Sequence, residues 1–421
     1  MNRHIMAIAL AVQAAGAFAW TRVEGTLEEI KAAVEKSGDG EIELVVTDRN
    51  PDLKQIREIS AGKRLRLDLT ACERLEAIPA KAFLAESGLE SVALPDGLKK
   101  IGAKAFSRTG LKTIVIPNSV SEIGDFAFSQ AALEGTVKIS KAVEKIGIGA
   151  FASCKNLSEF SVEGENPNFR SDDRNLMSKD GQTLVQFPAG RKGAYSVPVY
   201  VTRIGAGAFE GAEQVTNIVL PENLLTICGY AFHECTSLDS ITIPENVVRI
   251  GSDAIGGTKI KRVYIPKSVQ SLGEKPFEGA TELESITVEK GSKGGFVSKN
   301  GVLFDSDSRL VRYPPKKSGS EYVVPENTKS IAIFAFADAT ELEKVVFKGT
   351  EIVGKYAFRN GGSLTSLENQ DSLKEIGREA FWGTEVKRKG SLPSWYRSRR
   401  DSKASARKGK GKKSANAVDA K

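Results

Sequence analysis

The sequence predicts an α/β-type repeat solenoid that is dominated by short parallel strands and interrupted by two β-hairpin insertions. Three observations lead to this prediction. An Ile-Gly-x-x-Ala-Phe element recurs at a nearly fixed step, an Ile-x-Ile-Pro segment lies between successive copies, and two longer intervals resemble each other. At 421 residues the chain is also too long for one ordinary domain, whereas a solenoid grows by adding coils.

The first element is an N-terminal segment that is typical of an export signal. Arg3 supplies a short positive region, an apolar stretch follows, and Ala17 and Ala19 form a small-x-small cleavage pattern. A buried N-terminal helix would show a similar run of alanine. We expect residues 1–19 to be a signal peptide, and no other stretch is apolar for long enough to span a membrane.

Residues 20–64 are expected to form a helix and strand cap at the N-terminal end of the solenoid. Thr26 and Glu29 match a capping box, and Leu27 and Ile30 begin the apolar face of an amphipathic helix. A terminal coil needs such a cap because its apolar face has no neighbouring coil to cover it.

Residues 65–386 contain about 11 repeats of 22–23 residues. The Ile-x-Ile-Pro segment has the period of two expected of a strand, and its proline ends the pairing. One coil buries too few apolar side chains to offset the entropy cost of ordering its backbone, so the coils must stack, with strands ~4.8 Å apart. We expect each repeat to contain one strand, a turn and a return segment. The return segments end at Phe83, Phe106, Phe128, Phe151, Phe209, Phe232, Ile255, Phe277, Phe336, Phe358 and Phe381.

Two longer intervals, at about 163–200 and 289–327, are expected to be β-hairpins that leave the solenoid. In each of them a turn-forming pair, Asp180-Gly181 or Asn300-Gly301, separates apolar runs.

The cysteines follow the repeat. Cys72, Cys154 and Cys235 occupy a position that holds small residues in other copies, and Cys154 and Cys235 lie too far apart for a disulfide. The pairing of Cys228, in the glycine position of its repeat, stays open.

The repeat resembles the BspA-like, or Treponema pallidum-type, leucine-rich repeat, which reads approximately Leu-x-x-Ile-x-Ile-Pro-x-x-Val-x-x-Ile-Gly-x-x-Ala-Phe-x-x-Cys. Residues 238–251 match its first part without a gap, and the resemblance covers about 65–386. It implies a curved leucine-rich repeat array on secreted or cell-surface proteins that bind other proteins, often matrix components or other cells. It implies no catalytic residues.

Positive charge is concentrated at the C-terminal end. Residues 387–421 contain thirteen Lys/Arg and two Asp, a net charge of +11, whereas residues 20–386 have a net charge of −5. With few apolar groups, this tail is expected to be disordered, and it is either a solubilising extension or a tether to a polyanion. The tail residues predicted to bind a polyanion are Lys408, Lys410, Lys412 and Lys413.

The outward strand positions are the predicted surface for a protein partner. Most of them are small or hydroxylic, and the full set is Ser91, Ala93, Thr113, Val115, Asn217, Val219, Ser240, Thr242, Arg262, Tyr264, Ser285, Thr287, Lys344 and Val346. One repeat differs, because Lys261, Arg262, Tyr264 and Lys267 gather positive charge around an aromatic ring, as interface hot spots do. Solvated surface positions would show the same residues.

No motif predicts an enzyme, a cofactor or a metal site. His233 and Cys235 are the only conceivable nucleophile pair, and both stand at regular repeat positions. The paired carboxylates Asp172-Asp173 and Asp305/Asp307 lack a glycine-spaced calcium loop.

We therefore predict a non-enzymatic, secreted or cell-surface protein that mediates protein–protein interaction or adhesion. The alternative is an intracellular repeat scaffold whose basic tail binds nucleic acid or another polyanion. That alternative requires residues 1–19 to be retained in the functional protein.

Overall fold

The computed structural model describes residues 20–37, 40–386, 392–393 and 395–396. The expected signal peptide and most of the basic tail, including Lys408, Lys410, Lys412 and Lys413, lie outside this part of the chain. The described residues divide after Thr258 into two units. Within each unit, the predicted parallel-strand repeat solenoid is confirmed.

In the described part of the first unit, the regular elements are two helices near its start and a series of short strands joined by turns. Its elements are β1 (Thr21–Gly25), α1 (Leu27–Ser37), β2 (Glu41–Val46), α2 (Leu53–Ile59), β3 (Arg64–Asp68), β4 (Ala77–Ile78), β5 (Leu89–Ala93), β6 (Lys100–Ile101), β7 (Glu122–Ile123), β8 (Glu134–Ile139), β9 (Lys145–Ile146), β10 (Asn156–Val162), β11 (Phe169–Asp172), β12 (Asn175–Ser178), β13 (Thr183–Gln186), β14 (Gly193–Ser196), β15 (Arg203–Ile204), β16 (Val215–Val219), β17 (Thr226–Ile227) and β18 (Arg249–Ile250).

The second unit consists of short strands and one 3-10 turn. Its elements are β19 (Arg262–Ile265), β20 (Ser271–Leu272), β21 (Ser285–Val288), β22 (Val297–Lys299), β23 (Val302–Phe304), β24 (Leu310–Arg312), β25 (Glu321–Val323), β26 (Ser330–Ile331), β27 (Lys344–Val346), β28 (Ile352–Val353), β29 (Ser366–Glu368), the 3-10 helix Gln370–Ser372 and β30 (Glu375–Ile376). None of the helices in the described residues is long and apolar enough to cross a membrane.

The N-terminal strands pair in parallel in the order β1, β2, β3 and β5. The carboxylate of Glu29 accepts hydrogen bonds from the backbone N–H of Thr26 at 2.8 Å and from its hydroxyl at 3.0 Å. This is the glutamate half of the predicted capping box, and it fixes the start of α1. Ile30 and Ile56, on α1 and α2, are fully buried and join the core beside the first strands.

Most coils contribute two short strands, where the sequence predicted one. The predicted strand pairs with its neighbour in β8–β10, β14–β16, β19–β21 and β25–β27–β29. A second parallel ladder begins just before the repeat glycine and joins β4–β6–β7–β9, β13–β15–β17–β18 and β24–β26–β28–β30. These strands are mostly two residues long, too short to show a period in the sequence. Conversely, 111–116 and 238–243 are not strands, although Ile114, Ile116 and Ile243 are buried as expected.

The repeat phenylalanines form stacked ladders inside the coils. In the first unit Phe83, Phe106, Phe128 and Phe151 stack with ring centroids 5.2–5.4 Å apart. Their return segments also bond from coil to coil: the N–H of Phe106, for example, donates to the carbonyl of Ala127 at 2.7 Å. Each ring therefore fills the core and supports the ring of the next coil.

The repeat glycine is required by the close approach of consecutive coils. A Cβ at Gly147 would lie 2.4 Å from the backbone nitrogen of Asp125, and one at Gly124 would lie 2.6 Å from that of Ala103. At these two positions a larger residue would have to displace the backbone of the neighbouring coil.

Each predicted insertion is a hairpin followed by a further coil. In the first, β11 and β12 form an antiparallel pair, and β13 then rejoins the parallel ladder beside β15. Phe187 continues the aromatic ladder 4.8 Å from Phe209. In the second, β22 and β23 form the hairpin, and Tyr313 stacks 4.9 Å from Phe336. The sequence did not reveal these coils because they lack the Ile-Gly-x-x-Ala pattern.

All four cysteines are buried and free of disulfides. The prediction that Cys154 and Cys235 are unpaired is therefore confirmed, and Cys228, whose pairing the sequence left open, is also unpaired. The thiols of Cys154 and Cys235 donate to the carbonyls of Phe128 and Phe209, at 3.1 and 3.2 Å.

At the C-terminal end of the described residues, Leu392, Trp395 and Tyr396 pack against the core of the second unit.

Candidate interaction surfaces

The structure brings two of the predicted partner-binding residues together on β19. Arg262 and Tyr264 alternate with the buried Val263 and Ile265, so both point away from the core. The Arg262 side chain is 80% exposed and Tyr264 is 44% exposed. β19 pairs in parallel with β21, which fixes its backbone, so this pair is presented on a rigid strand.

The charges of this cluster are partly neutralised by the neighbouring strand. The ammonium of Lys267 lies 2.7 Å from Glu289, and Glu284 lies 3.7 Å from the guanidinium of Arg262. The hydrogen bonds from Lys267 lower the pKa of the Glu289 carboxyl. The cluster is therefore less positive than its sequence suggests, and Lys261 contributes an exposed cation beside it. The binding role of Lys261, Arg262, Tyr264 and Lys267 stays a prediction.

Other predicted outward positions differ in exposure. In the first unit, Val115 is 82% and Val219 is 52% exposed. In the second unit, the prediction for Val346 is wrong, because this side chain is buried. Lys344 on the same strand is half-buried between Glu321 and Glu368, at 3.4 and 3.0 Å. These two ion pairs link Lys344 to the coils on either side and keep its side chain against the surface of the sheet.

The pair His233 and Cys235 does not have the geometry of an activated nucleophile. The Cys235 thiol is buried and bonded to a backbone carbonyl, and burial raises its pKa. The imidazole instead lies between two carboxylates, with Nε2 3.7 Å from Glu234 and Nδ1 3.7 Å from Asp253. A protonated, carbonyl-bonded thiol is a packing group.

An acidic cluster of Glu210, Glu234 and Asp253 lies beside that histidine, with Glu210 and Asp253 buried and Glu234 exposed, and the sequence did not predict it. Glu210 is 8% exposed, and burial, followed by the charges of Glu234 and Asp253, raises its pKa to about 7. Its Oε2 has no hydrogen-bond partner among the described residues. The repeat gave no signal for this cluster, because Glu210, Glu234 and Asp253 stand one after, two after and two before the last residue of their return segments.

The paired carboxylates of the insertions have protein partners. Asp172 lies 3.0 Å from Arg170, Asp173 lies 3.1 Å from Arg191, and Asp305 lies 2.9 Å from Arg309. Within the described residues, no group of three or more His, Cys, Asp or Glu side chains is placed to hold a metal ion.

Comparison with protein families finds a match to the BspA type leucine rich repeat region, in six copies that cover residues 69–172, 202–294 and 316–394. These segments make up more than half of the chain. A search of curated proteins finds no match.

Several solved structures are similar. A leucine-rich repeat protein from Eubacterium ventriosum aligns at 19% identity and a TM-score of 0.54, over 89% of this chain and 92% of that one, which shows a shared fold. The pneumococcal vaccine antigen PcpA aligns at 18% identity and a TM-score of 0.49, over 82% and 87% of the two chains. A leucine rich cell surface protein from Faecalibacterium prausnitzii aligns at 23% identity and a TM-score of 0.44, over 63% and 68%.

Proposed function

Because this chain belongs to the BspA-type leucine-rich repeat family, a family of repeat scaffolds for protein–protein interaction, we propose that it is a non-enzymatic, secreted or cell-surface protein that mediates adhesion. Its partner is another protein, such as a matrix component or a protein of another cell. Buried ladders give each unit a rigid frame, and the exposed strand positions offer a regular surface on that frame.

The observation that carries this proposal is the pair Arg262 and Tyr264 on one face of β19. Aromatic and arginine side chains contribute most of the energy in many protein interfaces. Here they protrude from a strand whose alternate residues are locked in the core, so binding requires little ordering of the backbone. Lys261 is exposed beside the pair and would steer an acidic partner toward it, whereas the charge of Lys267 is matched by Glu289.

Export distinguishes this proposal from an intracellular scaffold. The segment 1–19 has the pattern of a cleaved signal, so we expect the protein purified from its natural source to begin at Trp20. N-terminal sequencing of that protein tests whether residues 1–19 have been removed. A retained Met1 would favour the intracellular scaffold with a nucleic-acid-binding tail.

The basic tail supports a second candidate function, attachment to a polyanion. Its net charge of +11 contrasts with −5 for residues 20–386. A chain that ends at Tyr396 keeps Leu392 and Trp395 against the core, so its melting temperature should not change. We expect this shorter chain to lose the steeply salt-dependent part of heparin binding, because fewer counterions are released. An unchanged salt dependence would exclude the tail as the site of attachment.

A further inference from the structure

A second row of aromatic side chains lies outside the core of the second unit. Phe334 and Tyr356, on consecutive coils, stack with centroids 5.2 Å apart and an angle of 28° between the rings. Both residues have left-handed backbone conformations, with φ of 53° and 56°, and both are half-buried. On the last coil Trp382 is 48% exposed. This row therefore presents ring surface to solvent, where the inner ladder presents none.

Cationic side chains lie over these rings. The guanidinium of Arg359 is 5.5 Å from the ring centroid of Trp382 and 6.0 Å from that of Tyr356. The ammonium of Lys355 is 4.8 Å from the centroid of Tyr356. Cation–π contacts of this kind hold the side chains in place before any ligand arrives. We call Phe334, Lys355, Tyr356, Arg359 and Trp382 the aromatic ridge.

The charge of the aromatic ridge differs from that of the neighbouring coil surface. Elsewhere on these coils, lysines are matched with carboxylates: Lys329 and Lys374 lie 3.8 and 2.7 Å from Glu351. Lys355 and Arg359 have no carboxylate oxygen within 4.0 Å among the residues that the structure describes. The ridge thus combines two cations that form no close ion pair with partly exposed aromatic rings. It also contains one carboxylate, because Glu379 accepts a hydrogen bond from Tyr356 and interacts electrostatically with Lys355.

We propose that the aromatic ridge binds an anionic polysaccharide whose pyranose rings carry carboxylate or sulfate groups. The flat apolar face of a pyranose packs against Trp382 and Tyr356, and the anionic substituent binds Arg359 and Lys355. Phe334 and Tyr356 repeat at the coil-to-coil step, with ring centroids 5.2 Å apart, which is close to the length of one sugar unit along a polysaccharide. An acidic peptide would use the cations and leave the ring faces unused. This site is additional to the protein-binding pair on β19.

The test compares heparin binding by full-length variants, all of which keep the basic tail, so that its contribution is the same throughout. Trp382→Ala and Arg359→Gln should each weaken the binding that persists at moderate salt by about fivefold. Trp382→Phe, which retains a ring, should keep most of it. The matched control is Lys374→Gln, which removes the same charge from a lysine that already has a carboxylate partner, and it should bind as the parent does.

Two results would overturn this assignment. One is unchanged heparin affinity in folded Trp382→Ala and Arg359→Gln. The other is a poly-glutamate peptide that binds as tightly as heparin and loses as much affinity with Trp382→Ala, because it would identify an acidic peptide as the ligand. Should Trp382→Ala melt early, Arg359→Gln and Trp382→Phe decide the question. The double substitution Arg262→Ala and Tyr264→Ala should leave heparin binding intact, which separates this site from the proposed adhesive function.

Discussion

Inward and outward aromatic residues on the same coil differ sharply in their surroundings. Phe358 is buried, with Phe336 4.6 Å away on one side and Phe381 5.1 Å away on the other. Tyr356, only two residues earlier, keeps part of its ring open and lies beneath a lysine. The repeat thus sets the spacing of Phe334 and Tyr356 as well as that of the inner ladder, but packing constrains the inner ladder more tightly. The outer row can therefore vary with less loss of stability, and the residues proposed to bind a polysaccharide belong to it.

The largest difference should appear when one ring is removed from each row. Phe358→Ala leaves a cavity between two stacked rings and should lower the free energy of unfolding by about 3–5 kcal/mol. Tyr356→Ala removes a half-buried ring from the same coil and should cost about 1 kcal/mol or less. Urea unfolding followed by circular dichroism measures both. Equal losses would mean that the outer row is also part of the core.

The buried carboxyl group of Glu210, in the first unit, should make the free energy of unfolding depend on pH by an intermediate amount. The pKa of Glu210 is about 7 in the fold and near 4.5 in an unfolded chain, so the folded state binds the proton more tightly between these values. The free energy of unfolding should therefore fall as the pH rises from about 4.5 to about 7, by about 3 kcal/mol, and this dependence should end above that window.

Glu210→Gln keeps the shape of the side chain and cannot ionise, so it should flatten this pH dependence. Glu222→Gln, at an exposed position of the same unit, is the control and should keep the slope of the parent protein. Thermal melts across the pH range make the comparison. A Glu210→Gln variant that retained the slope of the parent protein would contradict this assignment.

The inner positions were predictable from the sequence because they recur. The phenylalanines, the glycine between coils and the unpaired state of Cys154 and Cys235 all follow from one period and from steric limits. Phe187 was missed because its coil has the aromatic residue without the surrounding motif. The outer positions were less predictable, since exposure there depends on neighbouring coils. Val346 has an outward sequence position and a buried side chain, and Trp382 is exposed on the last coil.

The contacts between charged side chains of neighbouring coils could not be predicted from the sequence either. Glu289, which neutralises Lys267, and Asp253, which lies beside His233, each belong to the coil next to that of their partner. A period shows which positions share a face, but it does not give the distances between charged atoms. The cluster around Glu210 and the aromatic ridge therefore emerged only from the structure.

The most direct test of the central claim, that outward residues on a rigid strand bind a protein partner, is the double substitution Arg262→Ala and Tyr264→Ala. Its free energy of unfolding should stay within about 1 kcal/mol of the parent value. Its affinity for purified extracellular-matrix proteins that the parent binds should fall at least about 30-fold, whereas the control Val323→Ala plus Lys329→Ala should bind normally. Unchanged affinity in the folded double variant would contradict the account.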